Sequence, residues 1–244
     1  MPLACVPAVV ACLAGATNVS TAYFVSYDGS DFPENVGWRR HFGNENGPLQ
    51  GGAERTIEDG VLVLDGRRND QIFDFYEIDR LIDPGPGETF VAEWRCRVDE
   101  TDTWPYPDPG VVIARDNPPG HIAFEIASNE VYIWAREEPG APIEPGVYHV
   151  YRVESQNMVS FTLAIDGVPV YAGNFDSVSL LHSYVAFGDD VQGLRSLSRW
   201  DWFRFGTVPE PGSLCILTFV GGPVIRRLLR DAPRILKRRR KVGV

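Results

Sequence analysis

Phe90-Val91-Ala92-Glu93-Trp94-Arg95-Cys96-Arg97-Val98 is the stretch that decides the fold. Apolar and mostly polar residues alternate over nine positions. Successive side chains of a β-strand point to opposite faces, so this period of two predicts a strand with one buried face. Working outward, comparable short segments occur at 61–64, 72–78, 111–114, 122–126, 131–135, 147–153, 159–165, 168–171, 184–187 and 200–205. No stretch sustains a 3.6-residue apolar stripe. Asp166-Gly167 lies between two of these segments, and a type I′ hairpin needs residues that tolerate positive φ, as this pair does. Many short strands with Gly and Pro at turn spacing predict an all-β domain, a two-sheet antiparallel sandwich or jelly roll.

Four groups of residues carry a resemblance. They are Glu58-Asp59-Gly60-Val61-Leu62, the run Tyr148 to Glu154, the run Phe161 to Gly167, and Phe187-Gly188-Asp189-Asp190 leading to Trp200-Asp201-Trp202-Phe203-Arg204. Together they resemble the successive strands of concanavalin A-like (laminin-G-like) jelly rolls. The resemblance implies a fold shared by lectins, adhesion modules, glycosidases and lyases, so function has to be argued from sites.

The chain ends describe an address. Val208-Pro209-Glu210-Pro211 is followed by an uncharged run, 212–225, and then by nine Lys/Arg beginning with Arg226 and Arg227. This pattern resembles the PEP-CTERM sorting signals of bacteria, which implies processing by an exosortase. As a helix the fourteen-residue run would measure about 21 Å, short of a hydrocarbon core of roughly 30 Å. An anchor this short suits transient holding at the inner membrane, with the basic end cytoplasmic. An ordinary C-terminal anchor helix is the alternative. Residues 1–22 read as a signal peptide, with Ala14-Gly15-Ala16 or Ser20-Thr21-Ala22 as the cleavage site, although the n-region carries no Lys or Arg. The expected organisation is therefore a signal peptide at 1–22, a β-sandwich at 23–207, and a sorting signal at 208–244 with a short hydrophobic helix. The destination is the cell surface or extracellular matrix.

Charge and cysteine usage narrow the partners. The tail from Val208 holds nine basic and two acidic residues, which leaves 14 basic against 31 acidic residues before it, a net of −17. A surface that negative excludes nucleic acid as a partner and leaves divalent cations or neutral polymers. Cys5, Cys12 and Cys215 fall in the terminal signals, so Cys96 is alone in the domain and no internal disulfide is available. Its alternation with Trp94 and Val98 predicts a buried thiol.

Candidate sites follow from residue chemistry. Trp104 and Tyr106, with Asp102, stand in a proline-stiffened acidic loop; aromatic platforms beside carboxylates bind sugars by stacking and hydroxyl hydrogen bonds. Trp134, sharing a strand face with Tyr132, is a second platform. Asp189-Asp190, in the turn before the last strand, is a candidate calcium site, since hard cations need converging oxygens. Endo-glucanases of this fold carry a Glu-x-Asp-x-(x)-Glu strand. Glu77-Ile78-Asp79 begins that pattern, but Arg80, Leu81 and Ile82 follow, and Asp83 is out of place beside Pro84. Glu77 and Asp79 therefore read as a solvated strand edge. The four histidines are scattered, and His149 reads as packing within a sheet. The expectation is a non-catalytic domain for carbohydrate binding or adhesion to extracellular polysaccharide. The alternatives are a polysaccharide-degrading enzyme of the same fold, and a structural matrix protein.

Overall fold

The computed structural model describes residues 22–43, 53–67, 73–79, 83–101, 109–134, 139–178, 182–189 and 195–209. The strands in chain order are β1 (Ala22–Tyr27), β2 (Arg39–Gly43), β3 (Glu54–Glu58), β4 (Val61–Asp65), β5 (Phe73–Ile78), β6 (Glu88–Thr101), β7 (Pro109–Arg115) and β8 (Gly120–Ile126). They continue with β9 (Glu130–Ile133), β10 (Ala141–Pro142), β11 (His149–Ser155), β12 (Ser160–Ile165), β13 (Val168–Asn174), β14 (Tyr184–Asp189) and β15 (Ser196–Pro209). A short 3₁₀ turn, Pro33–Val36, is the one helical element among the described residues.

All strand pairs are antiparallel, in two sheets. The back sheet runs β13-β12-β11-β6-β15-β4-β3, with β1 also on β15; the front sheet runs β10-β9-β8-β7-β14-β5-β2. The two fourteen-residue strands, β6 and β15, form the back sheet's spine. β15 pairs with β4 through 197–200 and with β1 through 203–207, so two shorter strands share one of its edges. Strand pairing starts at Ala22 and ends at Pro209, one residue before and two beyond the expected domain limits.

The core lies between the inward faces. Phe187 of the front sheet is packed by Trp38, Trp200 and Phe203 at centroid separations of 5.0, 5.0 and 5.2 Å. Trp94 is sandwiched between Tyr151 at 5.5 Å and Phe203 at 5.8 Å. Each such ring removed from water contributes about 1.5–3 kcal/mol. Cys96 is fully buried and free, and burial pushes its thiol well up. In β6 burial alternates from Trp94 to Val98, while Val91 and Glu93 on the outward face are buried as well, and β15 does not alternate throughout. A bulge between Trp200 and Trp202 shifts the register, so Trp200 and Phe203 both point inward while Trp202 turns out beneath the Arg204 guanidinium at 4.5 Å.

Two hairpins have the chemistry their turns demand. Asp166 and Gly167 have φ of 50° and 79°, and Asp59 and Gly60 have 52° and 78°, the left-handed pairs of type I′ turns. His149 is tied to the first, with Nδ1 at 2.6 Å from Asp166 and Nε2 at 3.0 Å from the Glu144 carbonyl, which makes it a packing residue of the sheet as expected.

The expected C-terminal hydrophobic helix, with Glu210, Pro211, Arg226 and Arg227, lies outside the described residues, as does most of the expected signal peptide. Among the described residues no helix is long and apolar enough to cross a membrane. Val208 and Pro209 belong to β15, opposite Thr89 and Glu88.

Candidate active site

The front sheet's outward face has a low floor. Register aligns Glu77 (β5), Ala186 (β14), Val112 (β7) and Ala123 (β8) in one row, and Phe75, Gly188, Gly110, Glu125 and Tyr132 in the next. In these two rows the central strands β14 and β7 thus present only Gly, Ala and Val, while the flanking strands carry taller side chains. Val112, Ala114, Ala123 and Ala186 form a small apolar cluster with Phe75 and Tyr184 against it. Gly188 is required here: at φ 131° any Cβ would lie 2.6 Å from the Asp74 carbonyl and 2.9 Å from the Phe75 Cα.

At one wall of this floor five polar side chains converge. Alternation along β5 sends Glu77 and Asp79 outward and Asp74 inward. On the neighbouring β2, Arg39 and His41 face outward opposite Glu77 and Phe75, and Arg40 faces inward. Glu77 is bonded by the Arg39 guanidinium, lies 3.2 Å from His182 Nε2, and has only 7% of its side chain exposed. Asp79, half-exposed at the rim, lies 2.9 Å from Arg39 and 3.2 Å from His182. The Asp79 carboxyl is held below its usual range, first by the hydrogen bond from Glu77, then by the charges of Arg39 and His182. His41 stacks on Phe75 at 4.9 Å, and its Nε2 accepts the Arg39 Nε–H at 2.8 Å. Burial pushes the His41 pKa down, against the pull of Glu77, so this imidazole is neutral.

Oxygen atoms of Glu77 and Asp79 and a nitrogen of His182 all lie within 4.8 Å of one another, a cluster with the donor set of a metal site. Arg39 already places a fixed positive charge against both carboxylates, and a divalent ion would have to displace it.

Distance decides which acids can act together. Glu125, nearly buried on β8, is the other carboxylate facing the floor, but it stands three strands from Glu77, roughly 14 Å at about 4.8 Å per strand. Paired carboxyl groups in glycoside hydrolysis sit about 5–5.5 Å apart in retaining enzymes and about 6.5–9.5 Å apart in inverting ones. Among the described residues facing this floor, Glu77 and Asp79 are the close pair, with oxygens within 4.8 Å of one another.

The sequence-derived candidates are placed as follows. Trp134 continues β9 on the same outward face, 42% exposed, edge-on to His121 at 5.8 Å. Tyr132 shares that face, and burial followed by its hydrogen bond with Glu130 pushes its hydroxyl pKa up to about 12. Asp102, Trp104 and Tyr106 lie outside the described residues, as does Asp190. Asp189 is not a loop ligand: its side chain points into the sandwich, 1% exposed, and accepts the Ser196 and Ser198 hydroxyls at 2.8 and 3.2 Å. Glu77 is not on a solvated strand edge, since β2 covers that side of β5 and Arg39 and His182 cover the carboxylate. Asp83 does not join the cluster; it is paired with Arg115 at 3.2 Å. Sequence reasoning missed Arg39, His41 and His182. The fragment Glu77-Ile78-Asp79 was the one signal pointing to the place.

No family model matches this chain, and no curated protein matches it. Solved structures do. A carbohydrate esterase from Shiga toxin-encoding bacteriophage phi24B is similar over 78% of this chain and 100% of its own, at 10% identity and a TM-score of 0.55. A cellulose-induced protein covers 75% of this chain and 96% of its own, at 11% identity and TM-score 0.50. A Bacillus licheniformis β-glucanase is similar over 74% of this chain and 96% of its own, at 10% identity and a TM-score of 0.49. The jelly-roll fold is shared with these chains. The expectation of a non-catalytic domain is corrected: the phage chain that shares this fold is a carbohydrate esterase, and the outward face carries a converged acid–histidine–arginine cluster where the sequence promised only a solvated edge.

Proposed function

We propose that this chain is a polysaccharide-degrading enzyme, a retaining glycosidase working on the outward face of the front sheet. The observation that carries the reading is the carboxyl pair Glu77 and Asp79, whose oxygens lie within 4.8 Å of one another on the same outward side and are held by Arg39 and His182. Asp79 is held ionised and reaches solvent at the rim, which suits the nucleophile. Glu77, nearly buried beside it, is assigned as the general acid that protonates the leaving oxygen and then the base that activates water. Arg39 and His182 fix both groups. The floor of Gly, Ala and Val lets a polymer lie close to the sheet, and Trp134, four strands away and thus roughly 19 Å distant, supplies a platform for a remote sugar. A ligand reaching both is an oligosaccharide rather than a single sugar.

The domain acts outside the cytoplasm in this reading, delivered by the signal at 1–22 and released or held by exosortase-type processing at the Pro-Glu-Pro segment. The net charge of −17 before Val208 fits a neutral polymer as substrate. The test is release of reducing ends from β-1,3- and β-1,4-glucan, xylan and mannan. Glu77→Gln loses activity on these polymers but keeps it on aryl glycosides with good leaving groups, which need no acid; Asp79→Asn loses both. Absence of cleavage across the panel, or full activity in either variant, refutes the assignment.

A further inference from the structure

We infer that the back sheet carries a second saccharide-binding site, on the molecule's opposite face. A cleft of about 580 Å³ opens on the outward side of β13, β12, β11 and β6. That volume lies within the roughly 300–1,000 Å³ of sites that hold drug-sized ligands. Register places Ala172, Thr162 and Glu154 side by side across three strands, and Gln156 and Thr89 complete the wall around them.

The lining selects the ligand class. Arg152 Nε donates to Glu154 Oε1 at 2.7 Å, which leaves Oε2 for a ligand. The side chains of Thr89, Thr162 and Gln156 make no hydrogen bond among the described residues. Donors and acceptors therefore face the cleft unengaged by protein, and the one ionised group lining it is a carboxylate. An anion would meet Glu154 while the nearest cation, Arg152, is already engaged by Glu154 and Glu93 at 2.7 and 2.8 Å, whereas sugar hydroxyls donate to Glu154 and exchange hydrogen bonds with the hydroxyls and the amide. A divalent cation would find one carboxylate, too few hard ligands. Phe161 and Tyr171 stack on each other at 5.9 Å on the inward side, so recognition is by hydrogen bonds to a sugar's edges rather than by stacking.

The rim is built in advance. The Ser155 hydroxyl donates to the Ser160 carbonyl at 2.6 Å and accepts the Met158 N–H at 2.8 Å, and Asn157 accepts the N–H groups of Val159 and Ser160 at 2.8 and 3.0 Å. A turn fixed this way loses little freedom when a ligand binds.

The site is independent of the proposed catalysis. The experiment titrates ¹⁵N-labelled Glu77→Gln protein with cellotetraose, laminaritetraose, xylotetraose and mannotetraose, and separately with inorganic phosphate. At least one sugar is expected to give saturable shifts of the Thr162, Ala172 and Gly173 amides, and phosphate none. Thr162→Val should weaken that binding about three- to tenfold and Glu154→Gln by tenfold or more, because hydrogen bonds to charged groups are the stronger ones. Ala172→Trp, which fills the floor from a strand position that favours aromatics, should abolish it. No saturable shift with any sugar, equal shifts with phosphate, or unchanged affinity in Thr162→Val and Glu154→Gln would overturn the site, whatever Ala172→Trp does to folding. Loss of polymer cleavage with these shifts intact would count against the front-sheet reading alone.

Discussion

Replacing Arg40 by Met removes one half of a buried ion pair that holds β2 to β5. The Arg40 Nε donates to Asp74 Oδ1 at 2.9 Å and a terminal nitrogen donates to Oδ2, so the guanidinium grips the carboxylate as a fork. Asp74 is completely buried; burial raises its pKa, and Arg40 opposes that rise. Without Arg40 the carboxylate is left in the interior uncompensated, a change that costs about 3–5 kcal/mol at neutral pH. For a domain near this size each kcal/mol moves Tm by roughly 2–4 °C, so a fall of about 6–20 °C is expected. The pH dependence has a definite sign. A carboxyl whose folded pKa lies above its unfolded value favours the folded state when protonated, and that contribution is lost as pH rises from the unfolded value, about 3.9, through the folded one. Removing Arg40 widens the gap, so the variant's deficit should be largest at neutral pH and shrink toward pH 4 as Asp74 takes up a proton. Calorimetry or chemical unfolding of both proteins from pH 3.5 to 8 measures this. A deficit below about 1 kcal/mol at pH 7, or one that does not change with pH, would show that Asp74 is not held as a buried charge by Arg40.

Three further outcomes follow from the packing and the site. Phe187→Ala, which empties the centre of the aromatic cluster, should cost about 3–5 kcal/mol in chemical unfolding. Trp134→Ala should leave kcat on short oligosaccharides unchanged and raise KM for long ones about two- to tenfold, from loss of one stacked sugar; an equal effect on short and long substrates would place Trp134 elsewhere in the reaction. The anomer first released, followed by proton NMR, should keep the configuration of the substrate, because the oxygens of Glu77 and Asp79 lie within 4.8 Å, closer than the about 6.5–9.5 Å of inverting pairs; an inverted first product would exclude this pair.

Much of the sandwich was legible because burial on one face writes itself into a strand as alternation. Phe90 to Val98 and the run Tyr148 to Glu154 needed no other information, and Asp166-Gly167 announced its turn through the conformation it requires. β2 was illegible for the same reason in reverse. Arg39-Arg40-His41 has no apolar alternation, because its inward position is filled by an arginine neutralised by Asp74 and its outward positions by Arg39 and His41. Here alternation sorts charges between the two faces instead of sorting apolar from polar. In β15 the bulge at Trp202 breaks the period that would have told its two tryptophans apart.

That same property of β2 explains why the site was hidden. Glu77 becomes more than an acid on a strand only when Arg39, 38 residues earlier, and His182, 105 residues later, are brought to it. Neither contact leaves a local pattern; both depend on β5 lying between β2 and β14 in a fixed register. A slip of one residue in β2 would exchange the faces, sending Arg40 to Glu77 and Arg39 to Asp74, and would pull His41 off Phe75. Trp38, on the same inward side as Arg40, penalises that slip, since it would leave the core and its 5.0 Å contact with Phe187, and in the native register the Arg40–Asp74 fork ties β2 to β5. Arg40 therefore sets the position of Arg39 without touching the site, and weakening its grip should reduce catalysis as well as stability. In Arg40→Met at a temperature where the fold is intact, activity should fall while oligosaccharide binding at Trp134 persists, a division that a merely global loosening of the sandwich would not produce.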